Sequence, residues 1–327
     1  MDLYYRRPSF ETRNAMCKTA LNLKHIPGNR YEEILNAEDN IKKLTKHEQV
    51  KIVNSGNSAI LSVMSTFKDK IIIPDQGGWI GFKKMAEFLN IKVVEIPTQL
   101  GLIETNKLKY LIEKFNPEAL FITSFAGYSA EQPIKDIYKI CDDMDVILVE
   151  DASGGIGDEN RRLGNGEHAH VIVASTGTPK TVNVGNGGFI STNNINLINS
   201  AQNIIKSLKA DPVTCTGIAL EIQNAPYTLS KTLDACNYLK SEIMEFREVL
   251  YEDKQGLNII IPDKHPKKLR YQLKNSFNVH GGSIITVCPN YNRVKINAIC
   301  VEIKNLDIKC MTPENLDNIV KIIKIQS

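Results

Sequence analysis

Apolar residues recur along this chain with two alternating periods. From Arg30 to about Lys46 the spacing of Tyr31, Ile34, Leu35, Ala37, Ile41 and Leu44 follows the repeat of an amphipathic helix. Short apolar runs then predict strands at 50–53, 70–73, 92–96, 118–123 and 145–149. Helical patterns fill the gaps, starting with Ile60-Leu61-Ser62-Val63-Met64 and continuing at 78–89, 104–115 and 131–143. Strands separated by helical crossovers predict a mostly parallel sheet covered by helices, and such sheets bind ligands beyond the carboxyl ends of their strands.

Past Asp151 the pattern changes. A polar, Gly-rich loop (153–167) leads to strands at 171–174 and 188–191, followed by helical stretches from about Asn194 to Asp253. The tail predicts strands at 257–261, 283–288 and 295–303 with helices near 266–274 and 313–325, a small α+β unit. The expected organisation is an N-terminal segment (1–28, ending at the turn signal Pro27-Gly28), a large domain (29–250) and a small C-terminal domain (251–327).

Composition narrows the class. Charged residues at 24% and apolar residues at 42% are ordinary for a globular protein, and a net charge of +3 gives no general reason to expect nucleic acid. The seven cysteines (17, 141, 215, 236, 288, 300, 310) never form a C-x-x-C pair, which argues against a disulfide scaffold and a structural zinc site. The N-terminus lacks the apolar core of a signal peptide, and no window reaches the roughly 18 apolar residues of a membrane span. A reducing cytoplasm is the expected location.

Candidate chemistry gathers at strand ends. Ser55-Gly56-Asn57-Ser58-Ala59 lies between a strand and a helix, where it either caps the helix or cradles a phosphate against its N-terminus. Trp79, the only Trp, follows Gly77-Gly78 at a strand exit, suited to core anchoring or to stacking on a flat ring. Glu150-Asp151 ends the apolar run Val146–Val149. A carboxylate there is costly without a partner, and either a helix end or a pyridinium N–H would supply one. Lys180 stands twenty-nine residues after Asp151 and five after Ser175, between Thr176-Gly177-Thr178-Pro179 and Gly185-Asn186-Gly187-Gly188. A lone lysine is ordinarily a solvated surface residue. The ordered set Asp–Ser–Lys instead suits a pyridoxal-phosphate (PLP) site, in which burial and the cofactor's field are expected to lower the lysine's pKa.

Together these motifs resemble fold-type-I PLP enzymes, and among them the DegT/DnrJ/EryC1/StrS aminotransferase family. Ser55–Ala59 is similar to the family's phosphate loop, Pro74–Trp79 to its Pro-x-x-Thr-Trp/Phe segment and Glu150–Ser153 to its Glu-Asp-Ala-Ala/Ser element. Ser175–Lys180 with Gly185–Gly188 is similar to its Ser-Phe-x-x-x-Lys and Gly-Glu-Gly-Gly. Gly28–Ala37 resembles its entry helix and Tyr227–Leu239 its interdomain helix, so the likeness covers roughly 25–250.

The resemblance implies an α/β fold, with a mainly parallel central sheet, helices on both faces and a small α+β C-terminal domain. It implies pyridoxal 5'-phosphate as cofactor, Lys180 as the Schiff-base lysine and Asp151 as partner of the pyridine nitrogen. It places Gly56, Asn57, Ser58 and Ser175 at the phosphate and Trp79 on the ring, in a homodimer with sites at the subunit interface. The implied activity is an aminotransferase acting on an amino acid or an amino or keto sugar. The alternatives are a lyase or β-replacement enzyme, on an amino acid free or attached to tRNA, and a non-catalytic homologue. Between Lys180 and the long helix the chain is shorter than the family pattern and lacks its Asn-x-Arg signature. Gly154-Gly155 stand where that family often has His or Gln.

Four further features bear on function. His168-Ala169-His170 has no acidic partner in sequence, so metal binding is not expected. Lys264–Arg270 is a basic run expected to be a solvated helix face, with contact to RNA phosphate as its other reading. Arg30 and Arg293 are candidates for gripping a substrate carboxylate. Gly154, Gly155 and Gly157 do not follow the layout of a dinucleotide site.

Overall fold

The computed structural model describes residues 2–23, 31–290 and 293–326, so Pro27, Gly28 and Arg30 lie outside the described residues. Seven strands form the central sheet: β1 (Gln49–Val53), β2 (Lys70–Pro74), β3 (Lys92–Ile96), β4 (Ala119–Thr123), β5 (Ile147–Asp151), β6 (Val171–Ser175) and β7 (Gly188–Thr192). Their order is β1-β7-β6-β5-β4-β2-β3. The neighbouring pairs from β6 to β3 are parallel, while β7 runs antiparallel to both β1 and β6.

Alternate side chains of each strand serve opposite faces of this sheet. After α1 (Phe10–Asn22) and α2 (Glu32–Thr45) come the helices that cover the sheet: Ile71, Ile73, Phe121 and Val149 pack with Ile60 and Val63 of α3 (Gly56–Met64) and with Phe82 of α4 (Gly81–Phe88). Their neighbours Ile72, Leu120, Ile122 and Leu148 turn the other way, onto Leu108 and Ile112 of α5 (Thr105–Phe115) and Ile137 of α6 (Ile134–Asp143). With helices on both sides, a central strand such as β4 is buried throughout, which is why it reads as an unbroken apolar run.

The helical stretch expected from Asn194 to Asp253 is divided. Ile195–Ser200 and Gln202–Ser207 are short helices, followed by a long helix, Pro212–Met244. Asp211 sets the new start by accepting from the Thr214 backbone N–H at 2.9 Å, with Pro212 in the first turn, where its missing N–H costs nothing. The long helix joins two cores: Ile218 and Ile222 pack beside β1, β6 and β7, whereas Leu239 and Ile243 lie among the side chains of the C-terminal unit.

That C-terminal unit holds a three-stranded antiparallel sheet of Ile259–Pro262, Ala298–Val301 and Ile285–Cys288, with helices Pro266–Ser276 and Pro313–Ile325. The strand expected at 295–303 is shorter, because the chain turns into a 3-10 helix at Ile303–Asn305. The N-terminal residues, of mixed pattern in sequence, belong to two places. Leu3-Tyr4 pairs in parallel with Val279-His280, and a helix at Phe10–Asn22 packs on the long helix. Ser9 starts that helix by accepting from the Thr12 N–H at 3.0 Å, and Thr12 Oγ1 donates to Glu221 at 2.6 Å. Leu3 is fully buried in the C-terminal core, an anchorage worth about 1.5–3 kcal/mol.

Candidate functional site

The sheet's carboxyl edge brings the singled-out residues together. Ser55 caps α3 by accepting from the Ser58 N–H at 3.0 Å, leaving a first turn whose N–H groups have no partner inside the helix. Gly56 lies flat against β6, where a Cβ would come within 2.5 Å of the Ser175 Cβ. Asn57 is exposed, and its Oδ1 accepts from Trp79 Nε1 at 3.2 Å. Ser58, expected at the phosphate, is buried, and its hydroxyl donates to Asn54 Oδ1 at 2.5 Å. Ser175 accepts from the Gly177 N–H at 3.2 Å and closes the loop that presents Lys180.

Asp151 ends β5 and is buried. Its Oδ1 accepts from the Ser153 N–H at 3.0 Å and from Ser153 Oγ at 2.5 Å, while Oδ2 accepts no hydrogen bond from any described residue. Burial raises this carboxyl's pKa against the opposing pull of Ser153 and Lys180.

Its neighbour Glu150 points away and is fully buried, held by Ser124 Oγ at 2.6 Å and the Gly164 N–H at 3.0 and 3.1 Å. Burial pushes Glu150 up to about 7 from an ordinary 4.5. The folded protein therefore holds a proton there that the unfolded chain releases above pH 4.5, and stability falls as pH rises from about 4.5 to about 7. The expected size is about 3 kcal/mol. Urea unfolding of wild type and Glu150→Gln at pH 5 and pH 8 checks this, since the substitution should remove that part of the slope.

Burial alone pulls the Lys180 pKa down, but without cofactor Tyr128 and then Asp151 outweigh burial and Arg293, and the net direction is upward. Lys180 Nζ donates to the Tyr128 hydroxyl at 2.5 Å and lies 4.9 Å from the centre of that ring. Two more cations approach the same ring from the C-terminal unit, Arg293 at 5.4 Å and Lys304 at 5.0 Å.

Glu302 holds that pair. It accepts from Arg293 Nη2 through both oxygens at 2.5 Å and lies 3.1 Å from Lys304 Nζ, with Thr286 Oγ1 donating at 2.7 Å. These cations hold Glu302 down at about 2, while burial brings Lys304 down to about 8. Sequence reading reached Arg293 but not Tyr128, Ser153, Glu302 or Lys304 as site residues. Ser153 was already in view in the Glu-Asp-Ala-Ser run, whereas the other three carry no local motif.

Two cavities border this cluster. One, of about 270 Å³, is lined by Gly77, Gly78, Trp79, Lys83, Arg293 and Lys295 among others. The other, of about 400 Å³, reaches Thr181 and Asn183 and is lined by Arg6, Arg7, Arg13 and Lys231. Lys180 lines neither cavity; it is half-buried, with Nζ on the Tyr128 hydroxyl. Gly81 leaves room for the Trp79 indole, since a Cβ there would sit 2.2 Å from Nε1.

His170 does have an acidic neighbour, Asp142 at 3.3 Å. Its Nδ1 accepts from the Leu148 N–H, and its ring packs on Tyr138, so it ties a helix to the sheet. No group of three or more His, Cys, Asp or Glu among the described residues is placed to hold a metal. Lys264, Lys267, Lys268 and Arg270 are exposed around the buried Leu269. No helix among the described residues is long and apolar enough to cross a membrane.

Comparison with known proteins gives two matches along the chain. Residues 10–209 match the DegT/DnrJ/EryC1/StrS aminotransferase family, and residues 226–324 match the MJ1341 family C-terminal domain. Among solved structures, serine palmitoyltransferase of Sphingomonas wittichii superposes with a TM-score of 0.80 at 12% identity, covering 100% of this chain and 86% of that one. Helicobacter pylori PseC, an aminotransferase of pseudoaminic acid biosynthesis, gives 0.78 at 15% identity, covering 100% and 99%. A DegT/DnrJ/EryC1/StrS aminotransferase from Brucella abortus gives 0.74 at 13%, covering 96% and 94%. At these identities the likeness establishes a shared fold, that of fold-type-I PLP enzymes.

Proposed function

We infer, from a chain that belongs to the DegT/DnrJ/EryC1/StrS aminotransferase family, that it is an aminotransferase carrying its cofactor on Lys180 and acting on an amino acid or an amino or keto sugar. The cofactor is pyridoxal phosphate, which when bound supplies an electron sink for a substrate carbanion. The residues fit it. The observation that carries the reading is Asp151, a buried carboxylate whose Oδ2 receives no hydrogen bond from any described residue, at the same sheet edge as a capped helix start and the half-buried Lys180.

Each residue then has a task. Asp151 keeps the proton on the pyridine nitrogen, and that N–H in turn relieves the cost of burying the carboxylate. The first turn of α3, at Gly56 and Asn57, binds the phosphate together with Ser175. Trp79, fixed by its bond to Asn57, offers a flat face to the ring. Lys180 Nζ binds the cofactor carbonyl and afterwards takes and returns the substrate's proton. Arg293 is buried, its Nε has no hydrogen-bond partner among the described residues, and it lines the Trp79 cavity, which supports it as the contact for a substrate carboxylate. A homodimer is part of this proposal, supported by exposed Phe10 and Leu35 on the helices Phe10–Asn22 and Glu32–Thr45, each packed against the long helix that carries exposed Tyr227.

Adding PLP to the purified protein should turn it yellow, and borohydride should fix the label on the peptide containing Lys180. Loss of the colour with release of a keto acid on adding an amino donor is the expected transferase result. Release of pyruvate or sulfide would place the chain among lyases instead. A protein that stays colourless with PLP rules the reading out.

A further inference from the structure

We propose that Tyr128 is a positioning residue for Lys180: its hydroxyl grips Nζ, so that the amine set free during turnover stays where it takes the substrate's proton. This rests on the reading of Lys180 as the cofactor lysine. The contact is 2.5 Å, and a phenol suits the task in both protonation states of its partner. Toward an ammonium the phenol oxygen accepts, and toward a free amine its O–H donates. No proton has to leave the pair for the bond to persist. A lysine stem has four rotatable carbons and no geometry of its own, so a fixed partner decides where Nζ waits.

The backbone is built around this placement. Tyr128 sits at φ +62°, in the left-handed region that a bulky residue seldom adopts. It lies at the tip of a small hairpin pairing Phe125-Ala126 with Ala130-Glu131. Bonds from the Gly127 N–H to Gly77 O at 2.7 Å and from the Leu257 N–H to Tyr128 O at 2.7 Å clamp that tip. The ring is closely packed, since a Cβ on Gly154 would come within 3.0 Å of it. A tyrosine that only filled space would need no such strained and doubly anchored turn.

The groups facing the pair come from every side. Arg293 and Lys304 face the ring from the C-terminal unit, balanced by Glu302, and Asp151 acts on Lys180 from β5. Tyr5 of the N-terminal segment also lies within the field of Lys180 and Glu302.

The test compares wild type with Tyr128→Phe, which keeps the ring and removes the oxygen. Without cofactor, acetic anhydride labelling of Lys180 is followed by mass spectrometry across pH 6 to 11. Wild-type Lys180 should reach half-labelling above the pH of ordinary lysines. In the variant that midpoint should fall by about one pH unit, making Lys180 about 10-fold more reactive at neutral pH. With PLP added, both proteins should turn yellow and accept borohydride fixation on Lys180. Exchange of the substrate α-hydrogen with deuterated water should then be about 10- to 100-fold slower in the variant.

Coincident labelling profiles, a wild-type midpoint below ordinary lysines, or equal exchange rates would each overturn the proposal. A wild type that never turns yellow overturns the cofactor reading, and the labelling profiles then still decide whether Tyr128 grips Lys180. The wild-type midpoint needs no variant and stands even where Tyr128→Phe folds poorly.

Discussion

Replacement of Lys180 by Ala is expected to lower turnover with any accepted amino donor on the order of 10⁴-fold, with the fold retained. The size follows from what one amine does in this geometry. Lys180 Nζ is the atom proposed to bind the cofactor carbonyl, and it is also the base proposed to move the substrate's proton. Its removal therefore cancels two contributions at once. Folding should survive because Lys180 sits on a loop after β6, and its side-chain hydrogen bond among the described residues goes to Tyr128. Small exogenous amines should restore part of the lost rate, since they replace the missing base but not its placement. Steady-state and single-turnover rates with and without methylamine measure both effects. Retention of a tenth of wild-type activity would remove Lys180 from the chemistry.

Glu302→Gln is expected to destabilise the protein by about 3–5 kcal/mol, because it leaves two buried cations without their shared counter-charge. Arg293 and Lys304 are both buried, and Glu302 is the carboxylate that contacts both of them. A surface ion pair removed in the same way would cost about 0–1 kcal/mol.

The pH dependence has a definite sign. Glu302 is held at about 2 in the folded protein against an ordinary 4.5. The folded state therefore binds this proton less readily than the unfolded chain does. Its contribution is complete above pH 4.5 and is lost as pH falls toward about 2. Urea unfolding of both proteins at pH 7 and pH 3 should show the gap between them narrowing in acid. A gap that is below 1 kcal/mol at pH 7, or that does not change with pH, would show the cluster to be solvated. Arg293→Met with Glu302→Leu and Lys304→Met should recover most of the lost stability, as buried ion clusters replaced by apolar side chains often do.

Some features were legible because their signal is local. The runs Ile71-Ile72-Ile73 and Leu120-Phe121-Ile122 read as buried strands, since a strand covered on both faces has no polar side to show. Ser55 announced a helix start, Asp151 a strand end and Lys180 a loop rich in Gly and Thr, and the structure gathers all three at one sheet edge. Local signals were weaker where packing decides. The helix at Phe10–Asn22 buries only Thr12, so its apolar period is faint, and its place depends on Glu221 of a distant helix. The bond from the Ser58 hydroxyl to Asn54, one turn back, likewise has no signature in the local pattern.

The sequence by itself determined the α/β layering, the strand ends that carry chemistry and the order Ser–Gly–Asn, Trp, Asp, Ser, Lys that points to one cofactor. Hydrophobic period and turn residues act over a few positions, and those features need no more. Only the tertiary structure decided what surrounds Lys180. Tyr128 comes from a hairpin 52 positions upstream, and Arg293, Glu302 and Lys304 come from the C-terminal unit more than a hundred residues on. Coulomb and hydrogen-bond terms depend on distance in space and on exclusion of water. So the field at Lys180, in which Tyr128 and Asp151 work against burial, is set by contacts that no local pattern records.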